Sequence, residues 1–176
     1  MELLEYFDEK NEICLGIADR DLVHKDNLWH REVAVWIMNE KNELLLQRRS
    51  AKKKQGANKL SITAGHVDVK EDEAVSAVRE VKEEIGLDID LTDLIFIDIY
   101  RNQQENNYCF SYTYLVKTNK KIEEMKIQED EVSELKYISI GELEDRINNQ
   151  DEEIPFVKKS YIKIIIERIK NEFVTV

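Results

Sequence analysis

Between Gly65 and Leu87 the chain reads "GHVDVKEDEAVSAVREVKEEIGL", with seven carboxylates and one arginine bracketed by two glycines. At about 100° per residue, a helix would gather Glu80, Glu83 and Glu84 on one stripe and place Ala74, Val78, Val81 and Ile85 on another, roughly 140° away. Like charges at these spacings cost a few tenths of a kcal/mol each, and acids near a helix C-terminus oppose its dipole by a further ~0.3–1 kcal/mol. A divalent cation would remove both penalties, and carboxylate oxygens suit a hard ion, Mg²⁺ or Mn²⁺. Charge spacing alone also describes the solvated face of an acidic helix, so the wider pattern has to decide.

The elements that must position these acids follow from patterning. The helix is expected from about Asp72 to Ile85, with Gly86 as a left-handed C-cap and the strand "LSITAGHV" before it. Upstream, "REVAVWIMNEKNELLLQRR" reads as a hairpin pairing Val33 to Met38 with Leu44 to Leu46, and "LLEYF" and "EICLGIA" as short strands around "DEKN". Downstream, "LIFIDIY" and "YCFSYTYLV" alternate as strands on either side of the polar loop "RNQQENN". A strand near "LKYISI" runs into Ser139, whose spacing to Glu142 is that of a capping box. Pro155 opens a last helix with Ile162, Ile166, Ile169 and Phe173 on one face. The fold class is therefore α+β, a mixed sheet with helices on its faces. One domain over residues 1–176 is expected, with N-terminal strands in 1–30, the core in 31–150 and a C-terminal helix in 151–176.

Composition narrows the partners. A formal charge of −11 repels nucleic-acid polymers and anionic membranes, and a small phosphorylated substrate needs a cation or a local basic cluster. The densest such cluster is Arg48, Arg49, Lys52, Lys53, Lys54 and Lys59, from which Arg48, Lys52 and Lys59 are taken as phosphate contacts; a solvated, mobile loop is the other reading. Cys14 and Cys109 read as reduced, buried small hydrophobes, and no apolar run approaches a signal peptide or a membrane span, so a cytoplasmic protein is expected. Oligomeric state is left open, a homodimer included.

Read with its spacing, Gly65, Glu71, Arg79-Glu80, Glu83-Glu84 and Gly86 fit Gx5Ex7REUxEExGU, U being aliphatic, without a gap or a substitution. At residue frequencies of roughly 5–10%, the fixed identities would coincide by chance on the order of once in ten million starts. The segment resembles the box of the Nudix hydrolases. That resemblance implies an α-β-α sandwich over about residues 30 to 150, with the box as a loop-helix-loop. It implies Glu80, Glu83 and Glu84 as metal ligands, Glu71 as a supporting acid and Arg79 as the residue that orients a glutamate. The activity implied is Mg²⁺-dependent cleavage of a diphosphate bond in a nucleoside diphosphate linked to another group. The catalytic base is not fixed by the box; Glu131 matches best by its distance from Tyr137, with Glu129 second and an exposed loop acid as the alternative.

The stretches "VHKDNLWHREVAVWIMN" and "SITAGHVDVKEDE" resemble a branch of the superfamily related to isopentenyl diphosphate isomerase, where histidines at the places of His24, His30 and His66 help bind a metal. The isomerase also needs a cysteine where this chain has Ala64 and a carboxylate pair where it has Glu105 and Asn107. An alanine transfers no proton, so hydrolysis is favoured over isomerisation, with a non-catalytic nucleotide sensor as a third class. The histidines are then a remnant, a second metal site or substrate contacts. Trp36 is expected in the core, while Trp29 either stacks on a base or packs under the N-terminal strands.

Overall fold

The computed structural model describes residues 2–53, 55–154 and 159–174. Lys54 and Pro155 lie outside the described residues. Strands β1 (Leu3–Phe7) and β2 (Cys14–Asp19) form an antiparallel ribbon, and Asp19 caps helix α1 (Arg20–Lys25) by accepting from the Asp21 N–H. The ribbon is tied to the body by the Phe7 N–H, which donates to the Trp29 carbonyl at 2.7 Å. Trp29 is 7% exposed, stacks on Phe110 and lies under the Arg101 guanidinium, so it packs beneath the ribbon. Cys14, expected to be buried, is exposed on β2, which little covers; Cys109 is buried, and both are free thiols.

The main sheet is mixed. At its centre β3 (His30–Met38) runs parallel to β8 (Asn107–Lys117), which pairs antiparallel with β7 (Ile95–Gln104). The expected hairpin partner, β4 (Glu43–Arg49), meets β3 only at Met38–Leu44 and then diverges from it, while its other edge pairs antiparallel with β9 (Val132–Ser139) along its length. The expected strand "LSITAGHV" bridges the resulting gap by splitting at Ile62. Its first part, β5 (Leu60–Ser61), joins β4, and its second, β6 (Thr63–His66), joins β3. The divergence opens a wedge in which Gln47 of β4, bonded by the Thr63 hydroxyl of β6, reaches Glu84 of the helix above. "RNQQENN" is likewise strand rather than loop: β7 and β8 run on and close at Glu105-Asn106, with Asn106 at φ 63°. Polar side chains on both faces hid this extension, because nothing there alternates.

Helix α2 (Glu73–Ile85) covers one face of the sheet, and α3 (Ile140–Asn148) and α4 (Lys159–Phe173) cover the other. Successive residues of β3 feed opposite cores, as a pleated strand requires. Val33, Val35 and Ile37 pack with Ala77, Val81 and Ile85 of α2, while Trp36 and Met38 pack with Leu143, Ile147, Ile166 and Ile169. This is the α-β-α sandwich, in the α+β class. Asp72 caps α2 by accepting from the Ala74 N–H, and Gly86 ends it in the left-handed region at φ 67°. The buried arc of α2 is shifted from the expected stripe toward Ala77, Val81 and Glu84-Ile85, leaving Ala74 and Val78 half-buried. Glu84 therefore lies inside, 6% exposed, rather than on an open acidic face. Among the described residues, no helix is long and apolar enough to cross a membrane.

Candidate active site

The box begins with a glycine against which the Glu80 carboxylate packs. β6 lies so close under α2 that a Cβ on Gly65 would fall 2.1 Å from the Glu80 carboxyl carbon and within 2.5 Å of both its oxygens. Gly65 is thus needed for close approach rather than for an unusual backbone angle. Gly65→Ala should displace Glu80 and weaken Mn²⁺ binding by roughly tenfold or more, about 1.4 kcal/mol, with the circular dichroism spectrum retained. Calorimetric titration checks this, and unchanged affinity would contradict the placement of Glu80.

Arg79 organises the acids. Its Nη1 donates to Glu80 Oε1 at 2.7 Å and Glu83 Oε2 at 3.3 Å, its Nε to Glu71 Oε2 at 3.1 Å, and its Nη2 to the His66 carbonyl at 3.0 Å. Burial works against its charge, but the Glu80 and Glu71 carboxylates outweigh burial and raise its pKa above the ordinary range. Glu71 also accepts from the Ser76 hydroxyl. Glu84 accepts from Gln47 Nε2 at 2.8 Å, and Gln47 is itself held by the Thr63 hydroxyl at 3.2 Å. Burial pushes the Glu84 carboxyl up to about 7; the Gln47 hydrogen bond opposes this, and the charges of Glu80 and Glu131 add to it. Burial also raises Glu80, against the pull of Arg79. Glu80 and Glu84 are therefore short of positive charge in the metal-free protein, the condition a bound cation corrects.

These acids line a cleft of about 430 Å³, within the usual range for a small-molecule site. Arg49, Lys53 and Gln55, from the end of β4 and the loop after it, also line it. The expected phosphate contacts Arg48, Lys52 and Lys59 are not among the lining residues. Arg48 is spent on Glu134 and Glu153 at 2.7 and 3.1 Å, and Lys52 on Asp130, while Lys59 hydrogen-bonds Arg49 through its backbone. Neighbouring residues of a strand point to opposite faces, so Arg48 and Arg49 cannot both face the cleft. Glu131 lines the cleft and is paired with Lys53, whereas Glu129 is exposed outside it.

Two strands and α1 bring the histidines together, and β8 adds Cys109. His30 and Glu32 share a face of β3; His66 sits across from Glu32 on β6, and Cys109 across from His30 on β8. The ligand atoms of His24, His30 and His66 lie within 4.8 Å of one another. Each ring turns Nδ1 to an oxygen acceptor: His24 to the Asn106 carbonyl at 2.7 Å, His30 to the Leu28 carbonyl at 3.1 Å, and His66 to Glu2 Oε1 at 2.8 Å. An oxygen acceptor requires the proton on Nδ1, which leaves Nε2 as the lone-pair nitrogen in each neutral ring. His24 Nε2 and His66 Nε2 stand 3.2 Å apart, and His30 Nε2, completely buried, has no hydrogen-bond partner. Burial lowers the His24 pKa, opposed by its bond to Asn106 and reinforced by the charges of His30 and His66. The His66 hydrogen bond, against burial, pulls Glu2 down to about 2.

Several of these groups escaped the sequence reading. Gln47 carried a signal, since it shares the alternation of Leu45 within an apolar run and so had to be buried and bonded. Glu32 had one too, two residues from His30 on the same strand face. Glu2 had none, because its place depends on how the ribbon folds back over β6.

A NUDIX domain profile matches residues 28–159. The chain belongs to the Nudix hydrolase family. It is 32% identical to an uncharacterised Nudix hydrolase of Clostridium acetobutylicum, over 85% of this chain and 75% of that one. It is 30% identical to isopentenyl-diphosphate Δ-isomerase 2 of Photorhabdus laumondii, over 80% of each. Among solved structures, a Deinococcus radiodurans protein superposes with TM-score 0.69 at 22% identity, covering 84% of this chain and 90% of that one. The NUDIX domain of Shewanella oneidensis NrtR, solved with ADP ribose, gives 0.60 at 13% identity, covering 79% and 87%.

Proposed function

We propose that this protein hydrolyses a diphosphate linkage in a nucleoside diphosphate joined to another group, or in a related small diphosphate. The observation that carries the reading is the convergence of Glu80, Glu83 and Glu84 on one cleft beneath Gly65, with Arg79 fixing two of them. The donor set is all oxygen and deficient in positive charge, which fits Mg²⁺ or Mn²⁺. Such an ion, when bound, offsets charge developing on the phosphate and acidifies a water. Arg79 and Glu71 hold Glu80 in place. Arg49 and Lys53 receive phosphate oxygens, and as Lys53 turns to the substrate it frees Glu131 to take the proton of the attacking water. The ADP ribose held by the NrtR domain supports a nucleotide-type ligand. The three histidines form a second cation site on the same cleft.

The isomerase reading is the weaker one. Ala64 lines the cleft beside Gly65, where a methyl group cannot exchange a proton. Incubating a panel of nucleoside diphosphate derivatives and isopentenyl diphosphate in ¹⁸O-water with Mg²⁺ decides between them. Hydrolysis puts one ¹⁸O into a phosphate-bearing product. Isomerised diphosphate without ¹⁸O would overturn the reading, as would tight, metal-dependent binding without product.

A further inference from the structure

We infer that Glu32 is the anionic ligand of the histidine centre, and that the centre takes a borderline transition ion such as Zn²⁺ rather than Mg²⁺. The inference rests on the reading of the three histidines as a cation site.

An imidazole that binds an ion gives it a lone pair but no charge, and a dication held partly out of water needs an anion beside it. The carboxylate pair expected where this chain has Glu105 and Asn107 does not supply one. Glu105 is exposed at the β7–β8 turn, and Asn107, which lines the cleft, is an amide whose Oδ1 is buried without a hydrogen-bond partner. The charge comes instead from β3. Glu32 Oε1 stands 3.7 Å from His30 Nε2 and 3.9 Å from His66 Nε2. Its other oxygen accepts from the Cys109 thiol at 3.0 Å, so Oε1 is the oxygen left facing the histidines.

Ligands at about 2.0–2.1 Å from a tetrahedral ion are separated by roughly 3.3 Å. Three of the six separations in such a set, 3.2, 3.7 and 3.9 Å, are near that edge length, and the three histidine ligand atoms lie within 4.8 Å of one another, so the side chains would have to draw in around an ion. The buried His30 Nε2, which makes no hydrogen bond among the described residues, is the independent mark of a missing partner, because leaving a buried nitrogen unsatisfied is costly. His24 Nε2 and His66 Nε2, 3.2 Å apart, are close enough for one ion to take both. Three nitrogens and one oxygen favour Zn²⁺ or its first-row neighbours, whereas the all-oxygen box favours Mg²⁺. The cleft would then hold two chemically distinct cation sites, and Cys109 would position Glu32 without binding the ion.

The test uses the full chain, stripped with chelator and titrated with Zn²⁺ or Co²⁺ in excess Mg²⁺ to fill the box. Bound metal is read by elemental analysis and coordination by the visible spectrum of Co²⁺. Wild type and Glu83→Gln should each retain one Zn²⁺ per chain through desalting, which separates this site from the box and from turnover. Glu32→Gln should bind at least tenfold more weakly and with a changed Co²⁺ spectrum. If that variant does not fold, Glu32→Asp, which keeps the charge but shortens the reach, should show the same weakening. Wild-type affinity and spectrum in the folded Glu32 variant would overturn the ligand assignment and leave the histidine site standing. A thiolate-to-cobalt band in the wild type would overturn it in favour of Cys109. Failure of the wild type to bind either ion would overturn the site itself, and the diphosphate hydrolase reading would be untouched.

Discussion

Replacing Glu83 with Gln should lower kcat by about 10²–10⁴-fold while leaving the fold as stable as wild type to within about 0.5 kcal/mol. The two halves of this expectation come from different observations. The Glu83 side chain is 53% exposed, and its hydrogen bond to Arg79, at 3.3 Å, is the longest that Arg79 makes to a carboxylate, so folding depends on it little. Yet it completes the carboxylate trio at the cleft, and an amide in its place keeps the shape while removing the charge that holds a hard ion. Glu129→Gln is the matched control, because Glu129 is an acid of the same region lying outside the cleft, and its turnover should not change. Equal turnover by Glu83→Gln and wild type would remove Glu83 from the catalytic machinery.

Glu84→Gln should have the opposite signature in the metal-free protein. Burial raises the folded-state pKa of Glu84 from 4.5 to about 7, above its unfolded value. A raised acid contributes stability that is fully present below the unfolded pKa and lost as pH rises through the folded one. At 1.36 kcal/mol per unit, that loss is about 3 kcal/mol between pH 4.5 and pH 7. Other groups add their own pH dependence, so the difference between wild type and variant is the quantity to measure. With chelator present, Glu84→Gln should gain stability relative to wild type as pH rises across this window. With Mg²⁺ present, wild type should recover and the variant should not, because an amide is a poor substitute for a carboxylate ligand. Chemical denaturation at several pH values, with and without Mg²⁺, measures both. A difference that stays flat with pH would contradict the buried, charge-crowded environment assigned to Glu84.

Much of the site was legible from sequence because its information is local. Asp72, Gly86 and the spacing of Arg79, Glu80, Glu83 and Glu84 all belong to one helix and its caps, where a periodicity of 3.6 residues relates sequence position to direction. What was missed depends on pairing between distant segments. That β4 leaves β3 after one residue pair, so that Gln47 can reach Glu84, goes with β6 taking the edge of β3 and β5 the edge of β4 that a longer hairpin would have paired, and no local pattern records it. The basic loop shows the same limit on a smaller scale. Composition identified a cluster of cations, but only the orientation of β4 separates Arg49, which faces the cleft, from Arg48, which is tied to Glu134 and Glu153. The histidines were visible as residues, whereas their convergence with Glu32 and Cys109 required the order of β6, β3 and β8 across the sheet.

The most direct test of the central claim is where a divalent ion binds at the carboxylate box. Crystals grown with Mn²⁺, measured at the manganese absorption edge, should show an anomalous peak bounded by Glu80, Glu83 and Glu84, and Glu83→Gln crystals should lose or weaken it. Full occupancy elsewhere with no peak among these three carboxylates would contradict the account.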